Sequence, residues 1–524
     1  MTTHKCSLDT SVNSNAVDIF IIGGGVNGCG IARDAAGRGL SVCLAEQGDL
    51  AQGTSSVSSK LFHGGLRYLE YYEFSLVRKA LKEREVLLSA MPHISYPMRF
   101  IMPHHKGLRA KWLIRMGLFL YDHLGKRKWL AGSSQINMRK HIAGTTLKSS
   151  YTHGFEYSDC WVHDSRLVVL NAKDAALRGA KIMTRTKVIN AQRDNNQWII
   201  TTLDVNTQKE QQFRAKKLVN ASGPWIQNVI SDQIKVPTKH KVRLVRGSHI
   251  VVPKIYDHEH PYIMQGHDGR IVFLLPFEND FTLIGTTDVD HSSAPQSAKC
   301  SDEEAEYICE FVNEYLDKSV RTKDIVWSFS GVRPLFDDGA GKASAATRDY
   351  VLELVGADTA PLLNIYGGKI TTYRKLAEAT MAALDFDAKN HNWTAGVPLP
   401  GGNLAVDGVP ALIDELCNTY SYLDQKWAQR LATTYGTESF QLLGTSQDIT
   451  SLGHNFGENL TETEVNWLID HEFAMSADDV LWRRTKLGLR LSEQQQQGLQ
   501  QWFEQRNEPS HSNEATPAKK HITA

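Results

Sequence analysis

Residues 17–50 read VDIFIIGGGVNGCGIARDAAGRGLSVCLAEQGDL, and the order of features in this stretch decides the fold. Residues 17–22 are a short apolar, β-branched run, as in a buried parallel strand. Gly23, Gly25 and Gly28 follow in G-x-G-x-x-G spacing. Residues 26–39 have helical character and stop at Gly37 and Gly39. A second strand over residues 40–45 ends at Glu46, eighteen residues past Gly28. In such a unit the first glycine allows a tight turn and the second lets a pyrophosphate approach the backbone. The third lets helix and strand pack closely, and the helix N-terminus faces the phosphates. Glu46 is placed to accept hydrogen bonds from a ribose diol. Glycine clusters also occur in plain turns, but strand, loop, helix, strand and acid in this order predict dinucleotide binding. An acid at residue 46, rather than a small residue followed by Arg, disfavours a ribose 2′-phosphate and leaves FAD or NAD.

The 524 residues suffice for about two to four domains. Lys plus Arg and Asp plus Glu both number 58, so composition carries no footprint of nucleic-acid binding, and none is expected. Seven cysteines are scattered without a C-x-x-C, which argues for a reducing compartment without a disulfide framework or structural zinc. The first fifteen residues are polar, with no apolar run of a signal peptide, and no stretch reads as a transmembrane helix. Residues 1–15 and 507–524 are expected to be disordered extensions.

Further along, TSSVSSKLFHGG at 54–65 fits a loop whose hydroxyls and amides contact phosphate oxygens. Residues 73–90 form an amphipathic helix, and 106–130 interleave seven cations with Trp112, Leu113, Met116, Phe119, Leu120 and Trp129. Such a segment is either a core helix with snorkelling cations or a helix lying on an anionic membrane surface. KLVNASGPW at 217–225, with Ala221 and Gly223 in its turn, is a second strand-to-turn crossing suited to a long, two-lobed FAD. LLNIYGGKITTYRKLAE at 362–378 is a third, carrying Gly367, Gly368 and Thr371. Residues 241–290 predict an antiparallel sheet, and the chain turns helical after residue 398, with Thr461 and Glu464 at capping-box spacing.

The expected architecture is therefore α/β: a discontinuous FAD-binding Rossmann-like domain, an antiparallel-sheet substrate domain and a C-terminal helical domain. The FAD domain is assigned to 16–90, 151–230 and 330–390, the substrate and membrane-facing domain to 91–150 and 231–329, and the helical domain to 391–506.

Cations recur in unusual places: Arg67 after two glycines, Arg333 in SGVRPL, Arg348 in TRDY and Lys369 in GGKITTYR. Guanidinium forks suit phosphate and carboxylate. His63 in FHGG and His249 in GSHIVV could take a hydroxyl proton during alcohol oxidation. Asp257, His258, Glu259 and His260 have metal-ligand composition but precede a proline in an expected loop, so no metal site is expected. No G-x-S-x-G supports a hydrolase.

These residues, with GFEYSDCWVHDSRLV, IGTTDV, DIVWSFSGVRPL and WLIDHEFAMSADDVLWRRTKLG, resemble the FAD-dependent glycerol-3-phosphate dehydrogenase family of bacterial, respiratory type over about residues 16–505. The resemblance implies oxidation of sn-glycerol 3-phosphate to dihydroxyacetone phosphate, with electrons passing through FAD to a membrane quinone. It implies a homodimer attached peripherally, through an anionic lipid surface, to the inner, cytoplasmic face of the membrane. Carried over, Gly23, Gly25, Gly28 and Glu46 hold the ADP half of FAD, and Thr54, Ser55 and Ser58 line its pyrophosphate and flavin. Arg67, Tyr68, Arg333, Arg348 and Lys369 fall on substrate positions; His63 is the first choice for the base and His249 the second. Rival readings are an oxidase that passes electrons to oxygen, an amine or amino-acid oxidase, and a non-catalytic flavin-binding membrane partner.

Overall fold

The computed structural model describes residues 15–238, 240–267, 269–337, 349–386 and 392–507. Arg348, residues 1–14 and the tail beyond residue 507 lie outside the described residues.

The apolar run after Asn15 forms the strand Ala16–Ile22, with Ile19, Phe20 and Ile21 fully buried. It pairs in parallel with Val42–Ala45 on one side and Glu210–Asn220 on the other. Lys181–Met183 and Leu362–Tyr366 extend this parallel core outward, and the antiparallel strands Gln197–Asp204 and Val351–Val355 complete its flanks. Helix Val26–Gly37 packs with helices Asp164–Leu177 and Tyr373–Ala383 in a core of Ile19, Ile21, Ala32, Ala35, Val168, Ala172, Leu376 and Met381. Small alanines on the first helix let three helices crowd one face of the sheet.

A second, ten-stranded sheet is largely antiparallel. Val242–Pro253 pairs with Trp327–Phe336 from Val242 opposite Phe336 to Val251 opposite Trp327. Ser95–His104 runs against His153–Val162 along its whole length. Leu61–Phe62, His153–Val162 and Trp327–Phe336 all join this sheet, although the ranges 16–90, 151–230 and 330–390 place most of their residues in the FAD domain. The strands of both sheets are similarly apolar, so periodicity cannot say which sheet a strand enters. Backbone pairing decides it.

Helix Lys111–Leu124 buries Leu118 and Tyr121 but leaves Trp112 69%, Met116 48%, Phe119 52% and Leu120 37% exposed. No described helix is long and apolar enough to cross a membrane.

The C-terminal helices surround their own core, which includes Leu416, Leu431, Leu468 and Leu499. Thr461 caps Glu462–Glu472 by accepting the Glu464 amide at 3.4 Å. Beyond it the chain forms a π-helical turn, Asp479–Arg484, closed by a bond from the Thr485 amide to the Val480 carbonyl at 3.0 Å. Bonds spanning five residues align residues five apart. Asp479 and Arg484 therefore both face the nucleotide-binding domain. Arg484 grips Asp49 with two bonds of 2.8 and 2.9 Å, both side chains fully buried, and Arg185 reaches Asp479 at 2.7 Å. Arg166 and Glu472 form a second fully buried pair across the same interface.

Burial alone would raise the Asp49 pKa, but Arg484 and Arg483 outweigh it and hold the carboxyl down to about 2. A depressed carboxylate contributes stability that is complete above its unfolded pKa and is lost as pH falls through its folded one. Asp49→Asn should cost about 3–5 kcal/mol at pH 7 by leaving guanidinium charge buried. In urea melts, the gap between wild type and variant should narrow as pH drops from about 5 toward 2. A gap independent of pH would remove Asp49 from this role.

Candidate active site

A cleft of about 1210 Å³ opens beside the glycine loop, and residues of both sheets line it. A Cβ on Gly28 would stand 1.9 Å from the Gly23 carbonyl oxygen, and one on Gly23 would stand 2.6 Å from that of Ala221. Only glycine permits these approaches, so the loop stays flat and its amides stay accessible. Gly28 itself lies behind the cleft, while Gly23, Gly25, Ala221 and Gly223 line it.

Glu46 lines the cleft too, accepting the Gly24 amide at 2.7 Å and the Gly48 amide at 2.8 Å. Burial raises its pKa despite both bonds, and its place on the cleft wall suits a ribose diol. Ser55 Oγ accepts the Val26 amide at 3.0 Å, and the Thr54 hydroxyl donates to the Val332 carbonyl at 2.6 Å. This loop thereby joins the helix start to the strand bearing Arg333. Ser58 borders the cleft, but its hydroxyl donates to Asp164 at 2.8 Å, beside the buried Lys60–Asp164 pair. Its role is to hold the loop. Gly367 and Gly368, with φ of 73° and 102°, form the third wall turn, and Asn27 donates to the Gly367 carbonyl at 3.2 Å.

His63, Arg67, Tyr68, Arg333 and Lys369 all border this cleft. Lys369 Nζ lies 3.8 Å over the Tyr68 ring, and Arg67 donates to the Tyr71 hydroxyl at 3.3 Å. Arg333 pairs with Asp288 and donates to Thr286 Oγ1 at 3.1 Å. The His63 amide donates to Thr371 Oγ1 at 3.3 Å, so the buried Thr371 steadies His63 from behind.

His249 is 2% exposed and meets the cleft only through Ser59, whose Oγ lies 2.9 Å from its Nε2. Its ring stacks on Phe329, and Nδ1 has no hydrogen-bond partner among the described residues. Burial, then Arg333 and Lys60, holds its pKa well below 6.5, so the ring is neutral. His63 has the direct access that His249 lacks.

Sequence reading missed Asp159, whose carboxylate accepts the Gly64 amide at 3.2 Å and the Tyr121 hydroxyl at 2.7 Å and pairs with buried Arg84. An acid inside the apolar strand EYSDCWV is the signal that pointed to it. It also missed Asp288 and Thr286, which position Arg333.

A glycine cradle, an acid next to it and a cluster of cations beside a histidine define a flavoprotein oxidoreductase, with FAD as its cofactor. Residues 18–374 match the FAD dependent oxidoreductase family, and residues 392–505 match the C-terminal domain of alpha-glycerophosphate oxidase. The chain is 46% identical to the aerobic glycerol-3-phosphate dehydrogenase of Escherichia coli, over 93% of this chain and 97% of that one. It is 49% identical to the glycerol-3-phosphate dehydrogenase of Pseudomonas aeruginosa, over 93% and 95% respectively. It is 48% identical to the D-erythritol 1-phosphate dehydrogenase of Brucella abortus, over 94% and 98%. The FAD-complexed glycerol-3-phosphate dehydrogenase of Bacillus halodurans shares the fold, with a TM-score of 0.73 at 24% identity and 94% coverage of both chains. The chain belongs to the FAD-dependent glycerol-3-phosphate dehydrogenase family.

Gly28→Ala should place its methyl against the Gly23 carbonyl and expel the cofactor loop from its position. The purified variant is expected to carry much less flavin per chain, read from the visible absorbance of the bound cofactor. A full flavin complement would show that the loop relaxes around the methyl.

Proposed function

We propose that this protein oxidises sn-glycerol 3-phosphate at C2 to dihydroxyacetone phosphate. The observation that carries this reading is the gathering of Arg67, Arg333, Lys369 and His63 on the cleft that holds the glycine cradle. Arg333, positioned by Asp288 and Thr286, and Lys369 take the phosphate dianion. Tyr68, beneath Lys369, fixes where the ammonium sits. His63 accepts the C2 hydroxyl proton, its backbone held by Thr371. Bound FAD supplies a hydride acceptor at N5 and a route for electrons to a membrane quinone.

A second substrate has a specific argument. The relative from Brucella abortus that matches over 94% of this chain is named for D-erythritol 1-phosphate, a longer phosphorylated polyol. The same cations and base would serve it. Oxygen as acceptor is the remaining alternative.

The exposed face of Lys111–Leu124 supports attachment to an anionic lipid surface on the cytoplasmic side of the membrane. Trp112, Met116 and Phe119 project beside Lys111 and Arg115, and Trp129 is 42% exposed beneath Lys128, whose Nζ lies 4.7 Å from the ring. Cations near such a surface contribute about 1 kcal/mol each.

Anaerobic mixing with glycerol 3-phosphate should bleach the bound flavin faster than D-erythritol 1-phosphate does; the reverse order would favour the second substrate, and no bleaching by either would sink both. Quinone reduction without peroxide release would then settle the acceptor. Arg333→Ala should lower kcat/KM by about 2–4 kcal/mol, roughly thirtyfold to a thousandfold, while sparing flavin content. Neutralising Lys111, Arg115 and Lys128 together should reduce cosedimentation with anionic liposomes; unchanged binding would count against the lipid-facing role of this helix.

A further inference from the structure

Outside the cleft, the fold assembles one group of metal-ligating side chains among the described residues. His141, Glu156 and His260 each offer a ligand atom, and these atoms all lie within 4.8 Å of one another. They come from three separate segments: the turn before Ile142–Thr146, the strand His153–Val162 and the turn before Tyr262–Gln265. The rings of His141 and His260 stand 4.9 Å apart between centroids, and His258 lies 5.7 Å from His260.

The surroundings suit ligation. His260 Nδ1 lies 3.1 Å from the Arg99 carbonyl, and donating there leaves Nε2 its lone pair. Glu156 gives Oε2 to Arg99 and turns Oε1 toward the His260 ring, 3.7 Å from Nδ1. His141 Nδ1 accepts a long capping bond of 3.2 Å from the Ala143 amide, which ligation through Nε2 would exchange for a metal bond.

We propose that His141, Glu156 and His260 form a binding site for a borderline divalent cation of the zinc type. Two imidazoles and one carboxylate favour such an ion over magnesium or calcium, which prefer all-oxygen shells. Zinc bonds of about 2.0–2.2 Å require the three partly buried side chains to close by about 1 Å. His258, held by Thr146 Oγ1 and the Tyr262 hydroxyl at 3.0 Å each, orders the turn that carries His260. Tyr157 and Asp159 of the same strand line the cleft, and strand alternation sets Glu156 on the opposite face. The cation therefore clips this strand to two turns from behind and takes no part in the oxidation.

The sequence hides this site because His141 and His260 are 119 residues apart. The run 257–260 draws the eye to neighbouring ligands, but only His260 of that run belongs to the cluster.

The test uses the full-length, FAD-loaded protein, first stripped with a chelator and then titrated with Zn²⁺ against a chromophoric competitor. One ion per chain should bind at about micromolar affinity or tighter and raise the unfolding temperature. His141→Ala and His260→Ala should each weaken binding at least about tenfold and abolish the thermal shift, with the flavin spectrum intact. Glu156→Gln should behave alike but also loosens Arg99, so the His141 variant is decisive. His123→Ala, on an exposed histidine outside the cluster, should leave the affinity unchanged. Absence of a one-to-one binding event, or one that survives both histidine substitutions, overturns the proposal.

Discussion

The backbone of residue 23 presses so closely on residue 28 that no side chain fits between them, and the rest of the site is built outward from that contact. It sets the start of Val26–Gly37 against the end of Ala16–Ile22. The matching approach of Gly23 to the Ala221 carbonyl brings the turn after Glu210–Asn220 to the same place. Three chain crossings thus converge where amides must face a pyrophosphate, and the helices Asp164–Leu177 and Tyr373–Ala383 hold them there through a core of small and aliphatic side chains.

Charge is handled differently on the two sides of this cradle. In the cleft, the cations keep partners that allow exchange: Arg333 with Asp288, Arg67 with Tyr71, Lys369 over the Tyr68 ring. Lys60–Asp164 behind the cleft and Arg84–Asp159 at its wall are buried pairs that serve as struts. A buried ion pair adds little net stability, yet removing one partner is costly, so these pairs fix geometry more than they contribute free energy.

The C-terminal helical domain takes part in that geometry. Asp49 lies three residues beyond Glu46, and Arg483 and Arg484 from the helical domain both reach it. The loop that carries Glu46 is therefore braced from a domain more than four hundred residues away in the chain. The π-helical turn makes this possible by aligning Asp479 with Arg484. A regular helix, at 3.6 residues per turn, would turn one of them away.

The sequence by itself determined the nucleotide-binding unit, because glycine spacing, apolar runs and Glu46 are local features whose physics does not depend on distant residues. Thr461 as a cap, the cations bordering the cleft and His63 beside them were legible for the same reason: each sits in a short, unusual local setting. Only the tertiary structure decided which sheet His153–Val162 and Trp327–Phe336 join, since alternation looks alike in both. It alone set His249 behind Ser59, turned the Ser58 hydroxyl toward Asp164 and drew His141 to Glu156 and His260. Those outcomes depend on contacts between segments far apart in the chain. One-dimensional patterning records what a segment prefers, while the packed fold selects which distant groups it meets.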